Sequence, residues 1–194
     1  PVAVRWVAAL AILCVTTLNY VGVSIASVVQ NLTTVAKYGG IAGLAVLAFL
    51  AGDGHAANFA PTTAVIGGSA VATALVSIMW TYDGWADLSK VGGEVRDPAR
   101  NLPRAMVIGA LLLILIYCSV NAAYLYLVPV EEMAGEPLIA ATAAGRIPLL
   151  GGIGVALVSV IVMISTFGAL SGSRLTGPRV FFAMAERGLF FPAI

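Results

Sequence analysis

Apolar residues in this chain gather into runs of about 18 to 25 positions separated by short polar passages, and a run of that length crosses the hydrocarbon core of a bilayer as a helix. The pattern predicts an all-α, polytopic membrane protein with spans at about residues 4–21, 28–50, 63–89, 104–128 and 149–170. Arg5 and Trp6 at one end of the first run, and Asn19 and Tyr20 at the other, suit the two interfaces. The polar passage "SIASVVQNLTT" precedes the second run, whose start is open because "SVVQNLTTVAKYGG" can already be helical, and "AGDGHAANFAPTT", with His55, reads as a loop from its Gly, Asp, Asn and Pro content. Asn101 is placed to cap the fourth helix, with Pro103 in its first turn. "PVEEMAGEPLIAATAAGRIP" is too polar and too punctuated to cross, although its centre can form a short interfacial helix. Its Glu131, Glu132 and Glu136 read as a solvated external patch. "GSRLTGPRVFFAMAERGLFFP" leaves the bilayer as a basic, aromatic segment.

Basic residues orient these spans. Lys90, Arg96, Arg100 and Arg104 follow the third run, and Arg174, Arg179 and Arg187 follow the fifth, while Lys37 lies beside the loop between the first two. The opposite side carries only Arg146, with Arg5 at the outer end of the first run. Short loops rich in Lys and Arg stay cytoplasmic, so the third span enters from outside and ends inside.

Composition agrees with a lipid environment: 60% of residues are hydrophobic and 10% charged, against roughly 25% charged in soluble domains. The expected location is the cell membrane, plasma or inner. A net charge of +1 gives nothing to draw nucleic acid, and a single histidine excludes a histidine cluster for metal, so no cofactor or metal ion is expected. Cys14 and Cys118 lie in separate apolar runs without the spacing of a redox motif, and read as buried spectators. The chain opens on Pro1 and stops after "RGLFFPAI", which is expected of a fragment whose partners are the bilayer and the missing remainder of the same protein.

The sequence "WTYDGW", residues 80–85, carries the most chemistry. A carboxylate at mid-bilayer costs roughly 2.5 to 3.5 kcal/mol on insertion scales, so Asp83 there implies a role. Yet about 17 apolar-run residues precede Thr81, enough to finish a span and leave Asp83 among headgroups. In the alternative, the helix is broken: Gly84 takes dihedrals other residues avoid, and Asp83 oxygens satisfy freed backbone N–H groups. Broken helices form the substrate sites of many secondary transporters, because half-helix ends present free peptide groups to charged ligands. Lys37 is the second candidate. A helix starting near Val28 puts it about 14 Å along the axis, where its ammonium either snorkels to the cytoplasmic surface or serves a buried role. The small-residue stretches "GGIAGLAVLA", "GGSAVATA" and "GGIGVALVS" read as close-packing surfaces between helices.

"WTYDGW", then "GGEVRDPARNLPRA", then "STFGALSGSRLTGPRVFFAMAERGLFFP" closely resemble, in order and separation, the amino acid permeases of the amino acid/polyamine/organocation superfamily, in the branch related to the L-type amino acid transporters. The resemblance covers almost the whole chain and implies that its five spans match helices four to eight of a twelve-helix protein. It implies a fragment of the five-plus-five inverted-repeat transporter fold with one discontinuous helix. Trp80 would then be the aromatic gate above an amino acid substrate. Thr81, Tyr82, Asp83 and Gly84 would form the unwound segment whose carbonyls take up the α-ammonium. "TTVAK" matches the fifth-helix motif of sodium-independent relatives, so Lys37 would replace a sodium ion, facing the hydroxyls of Ser165 and Thr166. Gly93-Glu94 stands where the family has an acidic pair, and Ser171 where many relatives have Asn.

The function these residues imply is secondary active transport of amino acids by alternating access, without sodium. A channel would need rings of carbonyls or charges around a pore, and only one broken helix is visible. A membrane-embedded enzyme would need a nucleophile and base constellation, which one histidine and scattered acids do not supply.

Overall fold

In the computed structural model residues 2–60, 67–84 and 87–189 are described, and among them every regular element is helical. The helices are α1 (Val2–Val21), α2 (Val23–Ala51), α3 (Gly68–Thr81), α4 (Asp87–Lys90), α5 (Pro98–Leu127), α6 (Val130–Met133), α7 (Ile139–Gly145) and α8 (Gly154–Glu186). Short 3-10 turns at Ala56–Phe59, Gly92–Glu94 and Pro148–Ile153 join them. Four helical segments are long and apolar enough to cross a membrane: Val2–Val21, Ser24–Ala51, Pro98–Leu127 and Pro148–Glu186. Helix α3, at 14 residues, is not. The start expected for the third span near residue 63 lies outside the described residues.

Helix boundaries reach beyond the apolar runs. Only Gly22 separates α1 from α2; its φ of 154° and ψ of 150° are open to glycine and strained for an L residue. The passage "SIASVVQNLTT" is helical, so α2 begins at Val23 rather than near 28. Helix α5 begins at Pro98 rather than 104, with Asp97 in the left-handed region (φ 47°, ψ 59°) and Pro98 in the first turn. Asn101 therefore sits inside α5 and not at its cap; its side-chain amide donates to the Arg96 carbonyl at 2.6 Å. Helix α8 continues through the basic segment to Glu186, with Pro178 inside it. Hydropathy marks only the part of a helix that lies in lipid, whereas the backbone ladder continues wherever no residue breaks it.

The packed centre lies at the outer ends of α2, α5 and α8, under α7. Ala45, Ala48, Ala123, Leu127, Val128, Ala143, Ala144, Ile147 and Val158 are buried there together. Alanine at so many contacts lets the helices approach closely, as the small-residue stretches imply. Backbone and side-chain bonds stitch the same end. The Asp53 N–H donates to the Arg146 carbonyl at 2.9 Å, and the His55 N–H and the Asn58 amide both reach the Tyr126 carbonyl, at 2.9 and 3.0 Å. Arg146 donates to the Leu127 carbonyl at 2.7 Å and also pairs with Glu132, so Glu132 is an ion-pair partner and not simply solvated.

Helices α2 and α8 run antiparallel at close range. A Cβ placed on Gly168 would lie 2.9 Å from Thr33 Oγ1, and one on Gly40 would lie 2.9 Å from the Ile161 side chain. Helix α1 packs against both. Large apolar side chains on the other faces are exposed, among them Val7, Leu10, Leu111 and Leu115. Cys14 and Cys118 share those faces and are exposed rather than buried, because among the described residues nothing covers that side of α1 or α5.

Candidate functional site

Helix α3 stops at Thr81. The Tyr82 N–H still reaches the Ile78 carbonyl at 3.1 Å, but the Asp83 N–H turns back to Trp80 at 3.3 Å, and Gly84 follows with φ of 100°. That angle suits glycine and strains any L side chain, so Gly84 permits the chain to leave the helical path. The next helical turn, α4, opens when the Asp87 N–H bonds to the Gly84 carbonyl at 3.0 Å. Tyr82, Asp83 and Gly84 thus leave the helix after Thr81, and a short helical turn begins at Asp87, with residues 85 and 86 outside the described ones.

Two contacts with α5 set the level of this segment along that helix. The hydroxyl of Tyr117 donates to the Thr81 carbonyl at 3.2 Å, and the rings of Tyr82 and Tyr117 meet edge to face with centroids 5.2 Å apart. Tyr117 lies about 28 Å from the start of the 30-residue α5 and about 15 Å from its end. The segment is therefore level with a point of α5 well away from either helix end. Sequence reasoning had no means of finding Tyr117: a lone tyrosine in an apolar run looks like packing, and its meaning comes only from a partner 36 positions away.

The carbonyls of the interruption are not equivalent. Thr81 O is occupied by Tyr117, and Gly84 O by the Asp87 N–H. Those of Tyr82 and Asp83 have no donor among the described residues. The Thr81 hydroxyl is turned back onto Ser77 O at 2.8 Å. Trp80, the last residue but one of α3, is 76% exposed, so its flat apolar face is available to whatever packs or binds there.

Lys37 stands at the centre of the 29-residue α2, deeper than a start at Val28 would put it. Its Nζ lies 4.6 Å from the centroid of the Tyr38 ring. Gly40 meets Ile161 and Thr33 meets Gly168, so the antiparallel register sets Lys37 level with Ile164 and Ser165. Among the described residues no hydrogen bond joins Lys37 to Ser165 or Thr166. The Thr166 hydroxyl donates to its own helix, to Val162 O at 2.8 Å. Ser165 instead lines a mostly apolar cavity of about 160 Å³ with Ile41, Ala45, Tyr124 and Val158. No residue of 80–84 lines it, so that cavity and the interruption are separate places. Ser171 is buried in α8, close to the α2 contact. No cluster of His, Cys, Asp and Glu suited to a metal occurs among the described residues.

Comparison with known proteins gives this geometry a context. The profile of the amino acid permease family matches residues 1–192. The chain is 37% identical over 180 residues to the serine/threonine exchanger SteT of Bacillus subtilis (strain 168), an alignment that covers 92% of this chain and 40% of that protein. It is 34% identical over 193 residues to the mouse b(0,+)-type amino acid transporter 1, covering 96% of this chain and 38% of the transporter. It is 35% identical over 118 residues to the human large neutral amino acids transporter small subunit 2, covering 61% of this chain and 22% of that subunit. The chain thus spans about two fifths of the length of the first two. A match of this extent, on a scaffold of apolar helices, means that the chain belongs to the amino acid permease family and is an integral membrane protein.

Proposed function

We propose that the chain is the part of an amino acid transporter that supplies half of the substrate site, in the five-plus-five inverted-repeat arrangement, and that its parent works by alternating access without sodium. The observation that carries this reading is the interruption at 81–84, set at depth beside Tyr117 and presenting the carbonyls of Tyr82 and Asp83. An amino acid's α-ammonium has three N–H donors and needs acceptors inside the membrane. A continuous helix has already used its own. Tyr82 and Asp83 carbonyls, with the Asp83 carboxylate, provide them, while the Thr81 and Gly84 carbonyls brace the segment. Trp80 stands one residue before the interruption, where its ring closes over the substrate. Lys37 supplies a fixed positive charge between α2 and α8, the role a coupling sodium plays in other transporters, with Ser165 and Thr166 as the hydroxyls on the facing helix. The names of the similar proteins support amino acids as the substrate class.

The test is uptake of radiolabelled amino acids into proteoliposomes holding the complete protein. Saturable uptake of at least one amino acid is expected, with Trp80→Ala reducing it about tenfold or more at near-normal protein level, since an aromatic face over a bound ligand contributes on the order of 1 to 2 kcal/mol. Parental uptake by the Trp80 variant would assign that side chain to lipid or packing.

A further inference from the structure

The contact between Tyr117 and the interrupted helix has two parts. The phenol hydroxyl donates to Thr81 O at 3.2 Å, and the ring packs edge to face on Tyr82 at an interplanar angle of 80°. Both parts fall on the same short segment, and among the described residues few other contacts tie that segment to the rest of the fold. Thr81, Asp83 and Gly84 are exposed, and the Thr81, Tyr82 and Asp83 hydrogen bonds, to Ser77, Ile78 and Trp80, stay within the same stretch of chain. Helix α5, in contrast, is anchored at its outer end through Leu127 and Tyr126 to Arg146, His55 and Asn58. Tyr117 therefore joins a loosely held segment to a well-held one.

We propose that Tyr117 is a positioning residue for substrate, fixing the peptide plane between Thr81 and Tyr82 so that the next carbonyls, of Tyr82 and Asp83, converge on the α-ammonium. The proposal rests on the transport reading above and deepens it. Its chemistry follows from the geometry. A hydrogen bond to the Thr81 carbonyl restrains rotation of the peptide that carries the Tyr82 N–H, and the ring contact restrains the Tyr82 side chain. Without them the acceptors are still present, but must be ordered when substrate binds, and that ordering weakens binding. The hydroxyl bond is long for O–H···O, whose usual limit is about 3.0 Å. It is accordingly weak enough to release when the segment changes shape during transport. Because Tyr117 acts on groups that meet the part common to all amino acids, its effect does not depend on the substrate side chain.

The experiment compares the complete protein with Tyr117→Phe and Tyr117→Leu, reading KM and maximal rate for a small and a large transported amino acid, and substrate-induced thermal stabilisation of the purified protein. Phe keeps the ring against Tyr82 and removes only the hydroxyl. Expected is a rise in KM of about threefold for Tyr117→Phe and about tenfold or more for Tyr117→Leu, equal for both substrates, with the Phe variant's maximal rate within about twofold of the parent. The concentration needed for half-maximal thermal stabilisation should rise by the same factors, so a variant with low transport still reports binding. An unchanged or lowered KM for Tyr117→Phe overturns the proposal, as does a loss confined to maximal rate or a rise in KM that differs between the two substrates. Absence of amino acid uptake or binding in the parent would sink the transport reading itself, which separates the two failures.

Discussion

Arg179 donates from both Nε and Nη2 to a single carboxylate oxygen of Glu94, at 2.8 and 2.5 Å, across 85 positions of sequence. The bond ties the polar turn that follows α4 to the C-terminal part of α8. Glu94 is the remaining member of what the resemblance expects to be an acidic pair, and the structure gives it a guanidinium partner.

The side chains of this pair are 21% and 45% exposed, so water screens their attraction. A double-mutant cycle on thermal unfolding of the complete protein, using Glu94→Gln and Arg179→Gln, should give a coupling of about 0.5 to 1 kcal/mol that shrinks as salt is raised. A coupling indistinguishable from zero at low salt would leave the contact with no stabilising part.

Two glycines on the α2–α8 contact should respond differently to alanine. At Gly40 the new Cβ meets Cδ1 and Cγ1 of Ile161, hydrocarbon atoms with no hydrogen bond to lose. At Gly168 it meets Thr33, whose hydroxyl already bonds to the Val29 and Gln30 carbonyls at 3.0 Å each. Turning Thr33 away breaks those bonds, and leaving it in place forces the helices apart. Gly168→Ala should therefore cost about 1 to 3 kcal/mol and Gly40→Ala less than about 1, read as the order of their melting temperatures in detergent. Equal or reversed costs would mean that the helices separate more easily than this packing implies.

Arg146 offers a third test. Leu127 is buried at 2% exposure, and its carbonyl takes the Arg146 guanidinium at the end of α5. Arg146→Ala leaves that acceptor unpaired in an apolar setting, at a cost of about 1 to 3 kcal/mol. Lysine has no fork with which to serve the carbonyl and Glu132 together, so Arg146→Lys should recover only part of the loss in melting temperature. Full recovery by lysine would reduce the role of Arg146 to its charge.

The legible part of this molecule was what lipid and backbone sterics impose on a single stretch of chain. Apolar runs gave helices, and Gly84 takes the positive φ that its residue type permits. Relations between distant residues were illegible. Asn101 looked like a cap, yet Asp97, in the left-handed region, precedes α5 and Pro98 opens its first turn. The helical continuation to Glu186 was hidden because hydropathy falls there while helix-forming residues persist. Glu132 looked solvated because Arg146 is 14 residues further on. Tyr117 carried no local mark at all, and is the residue most worth adding to the candidate site.

Lys37 bears on the energy source. At the centre of α2, with Nζ 4.6 Å from the Tyr38 ring and level with Ser165 on α8, its charge is several turns from either helix end. A lysine stem spans only about one helical turn, against the several turns on either side of this half-buried residue. An ammonium in a membrane helix is retained where it has a partner and a task. With that charge built in, transport should not require sodium: uptake into proteoliposomes is expected to be unchanged when choline replaces sodium, and Lys37→Ala is expected to lower it at least tenfold while the protein still reaches the membrane. Lys37→Arg should restore little, because a planar guanidinium cannot occupy the compact site of an ammonium between two closely packed helices. A strict sodium requirement in the parent, or full activity of Lys37→Ala, would remove the lysine from the coupling site and return it to helix packing.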